Sequence, residues 1–160
     1  MVIRCTAASF HSIKQNVDYQ SVYLPSIWTN SLALSLKIDV IAEVRDALGE
    51  RCAGLFAKCA EHVARESVLV LSAEVRRQQP HLIVTIGGGT TINTVRAMLM
   101  ALVEEIHRVK DFDRVPIRGG GDDKLVVPVD NAPPLRQISV PTTLSGVGFS
   151  SRGVATDRTR

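Results

Sequence analysis

The stretch that most constrains this chain is Leu82-Ile83-Val84-Thr85-Ile86-Gly87-Gly88-Gly89-Thr90-Thr91-Ile92. Pro80 closes off what precedes it, and Leu82 to Ile86 is a short apolar run rich in β-branched residues, as in a strand buried on both faces. Three glycines follow directly, allowing positive φ and a close approach of backbone N–H groups to a ligand. Ile92, Val95, Leu99, Leu102, Val103 and Ile106 then recur at helical spacing, with Thr90 or Thr91 as the expected N-cap. A strand, a glycine turn and a helix N-terminus together favour an anion, because unpaired N–H groups and the helix dipole both point at it. The bland alternative is a tight strand-to-helix turn with no ligand. A P-loop is excluded because its lysine is missing, and the dinucleotide fingerprint Gly-x-Gly-x-x-Gly fails at Ile92.

A second stretch, Ile138-Ser139-Val140-Pro141-Thr142-Thr143-Leu144-Ser145-Gly146, reads as another buried strand whose ladder Pro141 stops. Thr142 and Thr143 then offer two hydroxyls at the carboxyl end of that strand, where open α/β sheets place their ligands. Upstream, Ser21 to Trp28 reads as the first strand, with Pro25 as a defect in it. Asp39 is placed to cap a helix bearing Ile41, Val44 and Leu48 and ended by Gly49. Ala53 to Ala57 is a short strand, and Ser67 is placed to cap a helix bearing Val68, Leu71 and Val75 and running to Gln79. The alternation β-α-β-α-β-α predicts an α/β fold, a parallel sheet with helices on both faces. Residues 110–134, with Gly119-Gly120-Gly121 and Pro133-Pro134, read as a surface loop, Leu125 to Val127 forming a short hairpin arm.

The paired motifs resemble the iron-dependent alcohol dehydrogenase family, whose pattern is a strand, Gly-Gly-Gly-Ser/Thr, a helix, and later a strand ending in Pro-Thr-Thr. Leu144-Ser145-Gly146, with Gly153-Val154-Ala155-Thr156-Asp157 after it, is most similar to the maleylacetate reductase-like branch. The resemblance implies a Rossmann-like dinucleotide-binding domain over residues 21–160, following a poorly patterned N-terminus over residues 1–20. The latter has some transit-peptide composition, though a divergent start suits it better. The implied cofactor-binding residues are Gly87, Gly88, Gly89, Thr90, Thr142, Thr143 and Leu144, with Asn93, Phe149 and Asn30 as weaker candidates. Neither an acid nor a base stands beside Asn30 to choose between a ribose hydroxyl and a 2′-phosphate, so the cofactor is NAD or NADP. Asn93 replaces the family's usual aspartate, and Gly148 an acid.

The family reaction implied is hydride transfer between a nicotinamide and a carbonyl or activated alkene. Its Fe2+ or Zn2+ is held by one aspartate and three histidines in an all-helical domain C-terminal to the matched region. These ligands are expected to lie outside the 160 residues, which are therefore expected to be inactive alone. A non-catalytic remnant or interaction protein is the alternative, and a sugar-phosphate cyclase a weaker one. No catalytic residue is assigned. His11, His62, His81 and His107 are scattered, and no metal site is expected in this chain.

Composition adds exclusions. The chain is 45% hydrophobic and 22% charged with a net charge of +3, and no Lys/Arg run suggests a nucleic-acid partner. No apolar run approaches the ~18 residues of a membrane span. Cys5, Cys52 and Cys59 read as reduced thiols, suggesting a cytoplasmic protein. The expected partner is a small-molecule substrate in the complete enzyme, with a homodimer as the assembly to consider.

Overall fold

The computed structural model describes residues 26–30, 40–115, 135–149 and 153–157. Residues 21–25 of the expected first strand, Asp39, the Gly119 loop, the Leu125 arm, Cys5 and His11 lie outside the described residues.

Among the described residues four parallel strands form one sheet: β1 (Ser26–Asn30), β2 (Cys52–Phe56), β3 (Leu82–Gly87) and β4 (Arg136–Pro141), in the order β2-β1-β3-β4. Three α-helices among the described residues alternate with them: α1 (Val40–Leu48), α2 (Arg65–Gln78) and α3 (Gly89–Val103). Successive residues of β3 serve opposite faces. On one face Ile83 joins Val68, Leu71 and Val75 of α2 and Val95, Met98 and Ala101 of α3. On the other, Val84 and Ile86 join Val140 and Val44 of α1. The expected parallel sheet with helices on both faces is therefore present.

Some local expectations shift. Gly49 ends α1 with φ +54°, the left-handed geometry a glycine tolerates. The second strand starts one residue early, at Cys52. Ser67 does not cap α2: the helix begins at Arg65 with Ala64 at its N-cap. The Ser67 hydroxyl instead accepts from the Ala60 N–H at 3.1 Å and donates to the Lys58 carbonyl at 3.4 Å, holding the incoming chain. Gln79 ends α2 in the left-handed region, donating its N–H to Val75 O at 2.8 Å.

The buried side of α3 also differs from the aliphatic stripe. Ile92, Val95 and Ile106 of that stripe are buried as expected, but Leu99, Leu102 and Val103 are only half-buried, and Thr91, Thr94, Ala97, Met98 and Ala101 are buried in their stead. Small residues on that side let α3 approach the sheet and α2 closely. Arg76 on α2 donates to the Ala101 and Ile106 carbonyls at 3.2 and 3.3 Å, satisfying groups at the end of α3. Beyond α3, residues Val109–Arg114 form a 3-10 helix within the expected loop.

Candidate site at the carboxyl ends of the strands

The order β2-β1-β3-β4 reverses direction between β1 and β3: from β1 the chain goes first to one side, then to the other. Such a switch point opens a crevice at the carboxyl ends of its two strands, where ligands of open α/β sheets bind. Asn30 ends β1 and pairs in register with Ile86, the residue before Gly87. The expected residues from the first and third strands thus end at one level of the sheet.

Gly88 is the N-cap of α3 and makes no side-chain cap bond, so neither Thr90 nor Thr91 caps the helix. Gly88 has φ −78°, and Gly87 and Gly89 are also outside the positive-φ set, so left-handed backbone is not what demands glycine here. The absent side chain is. A Cβ on Gly87 would stand 2.8 Å from Thr91 Oγ1, and Thr91 is buried. One on Gly88 would stand 3.3 Å from Thr143 Oγ1 and Cγ2. One on Gly89 would stand 3.0 Å from both Ser145 Oγ and Val147 Cγ2. The glycine turn and the turn after β4 are pressed together through the missing side chains.

The backbone joins them as well. Gly87 pairs with Pro141 in the sheet, and the Thr142 N–H donates to Gly87 O at 3.0 Å. Pro141 therefore ends β4 without ending the contact between the strands. Gln137 Nε2 donates to Thr85 Oγ1 at 3.0 Å and to Ile92 O at 3.3 Å, tying β4 to β3 and to the first turn of α3. No acid stands in that first turn, so no side-chain charge opposes an anion at the positive end of the helix.

Of the expected residues, Thr90 and Asn93 are half-buried on the opening turns of α3. Thr142 and Thr143 are exposed beside the glycines. Leu144 is 100% and Phe149 83% exposed on the same turn. Ser145, Val147 and Arg96 belong to this neighbourhood too, and the sequence does not single them out as site residues. Arg96 stands seven residues after Gly89, a spacing that gives a shared helix face, but nothing local shows what that face meets. Among the described residues, no group of three or more His, Cys, Asp or Glu is arranged to hold a metal ion. No helix among them is long and apolar enough to cross a membrane.

A parallel α/β domain with a glycine turn at its strand-order reversal is, in class, a nucleotide-binding type of fold. The family model for iron-containing alcohol dehydrogenase matches residues 7–160. The chain belongs to that family, which is one of oxidoreductases. It is similar to the dehydrogenase FUM7 of Gibberella moniliformis, with 28% identity over 123 residues, covering 73% of this chain and 28% of that protein. Among solved structures, an iron-containing alcohol dehydrogenase of Corynebacterium glutamicum superposes with a TM-score of 0.64 at 18% identity. That match covers 99% of this chain and 34% of the other. Maleylacetate reductase of Agrobacterium tumefaciens gives a TM-score of 0.56 at 18% identity, covering 91% of this chain and 31% of the other. The chain thus spans about a quarter to a third of the length of these relatives.

Proposed function

We propose that residues 21–160 are the NAD(P)-binding part of a nicotinamide-dependent oxidoreductase. The observation that carries this reading is the meeting of the glycine turn with Thr142 and Thr143 at the carboxyl ends of the neighbouring strands β3 and β4. The pyrophosphate sits on the N–H groups opening α3, close to Gly88 and Gly89, where helix dipole and unpaired donors coincide. Thr90 and Asn93 add polar groups on that helix, Asn30 contributes from the end of β1, and Thr142, Thr143, Leu144 and Phe149 line the other wall. The bound nicotinamide supplies the hydride. The described residues hold and orient it, as near-attack geometry requires.

In the whole protein the acceptor is a small molecule, a carbonyl or an activated alkene, as in the family. The described residues offer no donor set for iron or zinc, and no step is assigned to a metal here. The 160 residues alone are expected to bind without turning over.

The test is a titration of the chain with NADH and NADPH, followed by nicotinamide fluorescence. Saturable binding below about 1 mM, a free energy near −4 kcal/mol, supports the reading. Gly88→Val is expected to weaken it at least about tenfold with the far-ultraviolet circular dichroism retained, because the new side chain occupies the space between Thr143 and the ligand. Absence of binding by the unaltered chain at millimolar dinucleotide overturns it and favours a non-catalytic remnant.

A further inference from the structure

The segment after β4 runs along one face of α3. Ser145 and Val147 press on Gly89, and Gly153 lies over the helix backbone, its missing Cβ 3.2 Å from Ala97 N and 3.3 Å from Arg96 C. Between these contacts Arg96 Nη1 donates to the Val147 carbonyl at 2.8 Å. Val147 opens the 3-10 turn Val147–Phe149, which closes on itself through the Phe149 N–H and Gly146 O at 3.0 Å, with Gly146 at φ +69°. This turn has its own internal bond, and the guanidinium ties it to the helix. A bond from a charged donor to a carbonyl is stronger than a neutral one and specifies position.

We propose that Arg96 is a positioning residue of the dinucleotide site. By holding Val147 O it sets the 143–147 turn against Gly88 and Gly89, and so fixes how far the Thr143 and Ser145 hydroxyls stand from the N–H groups opening α3. The inference rests on the dinucleotide reading given above. Arg96 need not touch the ligand. Its loss leaves a carbonyl on a largely exposed turn open to water, so the fold survives while the turn loosens.

The experiment uses the whole 160-residue chain, its Arg96→Met and Arg96→Lys variants, and two measurements. Hydrogen exchange without ligand reads the turn directly. The Phe149 amide is expected to exchange about tenfold faster in Arg96→Met, while amides of Ile83 to Ile86 keep their rates. NADH affinity is expected to fall about tenfold in Arg96→Met and to recover largely in Arg96→Lys, whose ammonium can donate to the same carbonyl. Unchanged exchange at Phe149 overturns the proposal whatever the affinity. Faster exchange with unchanged affinity overturns the positioning role. Equal losses of affinity in both variants, with accelerated exchange throughout β3, also overturn it, because the role is then merely structural. If the unaltered chain binds no NADH, the dinucleotide reading fails, and the positioning role falls with it even where exchange shows that Arg96 holds the turn.

Discussion

The two halves of the segment after β4 are held in different ways. Residues 142–149 carry Leu144 and Phe149 into solvent; they meet the glycine turn through the Thr142 N–H and the side chains of Thr143, Ser145 and Val147, and accept from Arg96 of α3 at the Val147 carbonyl. Residues 153–157 are docked. Thr156 bridges to Ala64, accepting from the Arg65 N–H at 3.2 Å and donating to Val63 O at 2.9 Å. Arg65, only 5% exposed, pairs through Nη1 with Asp113 at 2.9 Å and Asp157 at 3.2 Å, and lies 5.5 Å from the centre of the Phe112 ring. Its partner Asp157 is mostly buried, whereas Arg96 donates to a neutral carbonyl on a mostly exposed turn. The far half is built to hold, while the near half keeps polar and apolar groups available at the strand ends.

The largest expected effect comes from breaking the far half. Arg65→Met removes a buried guanidinium that bridges Asp113 and Asp157, and should cost about 3 kcal/mol in urea unfolding. Asp113→Asn should cost less than about 1 kcal/mol, because that carboxylate is largely solvated. A loss below about 1 kcal/mol in Arg65→Met would abolish the distinction between the halves.

The docked side also predicts a pH response. Burial pushes the Cys59 thiol up to about 11 from an ordinary 9.0, against a lowering hydrogen bond with Thr94 of α3. Below pH 9 the thiol is protonated whether the chain is folded or not, and its stabilising contribution is complete. Above that the unfolded chain ionises first, so stability should fall by about 2–3 kcal/mol between pH 9 and 11. Cys59→Ala should remove this component of the slope. An unaltered slope would show that Cys59 is wetter than its surroundings suggest.

Two glycines sharpen the contrast. At Gly153 an added Cβ meets helix backbone that cannot yield, so Gly153→Ala should cost about 1–3 kcal/mol. At Gly146 a Cβ meets nothing within 4 Å and only the φ of +69° opposes it, so Gly146→Ala should cost about 1 kcal/mol. Thermal melts of the two variants decide this, and equal costs would mean that the far half packs no more tightly than the near one. The smallest effect on stability should come from Leu144→Ser combined with Phe149→Ser, within about 0.5 kcal/mol, because neither side chain is packed. The same pair should reduce binding of a hydrophobic dye if these side chains form an apolar patch. Undiminished dye binding would place the patch elsewhere.

Much of this arrangement was legible in the chain. β3 announced itself by an apolar β-branched run, and Gly49 marked the end of α1 by a conformation few other residues accept. The glycine turn lies where the sequence places it, but what demands glycine is space: Gly88 and Gly89 are selected by Thr143, Ser145 and Val147, absent from their own stretch, and Gly87 by Thr91 within it. The caps at Ser67, Thr90 and Thr91 were misplaced for the same kind of reason. Ser67 bonds to chain seven and nine residues before it, and Thr91 packs beneath Gly87.

Local periodicity and turn chemistry depend on neighbouring residues, so the sequence by itself determined the alternating strands and helices, the glycine turn, and the Pro-Thr-Thr ending of β4. It also carries the pattern of the family to which the chain belongs. Strand order does not depend on neighbours. That β3 lies beside β1 and β4, bringing Asn30, Gly87 and Thr142 to one edge, was decided only by the tertiary structure. So were the pairing of Arg96 with Val147, 51 residues away, and of Arg65 with Asp157, 92 residues away. Such contacts follow from how whole faces pack, and no local spacing in the chain encodes them.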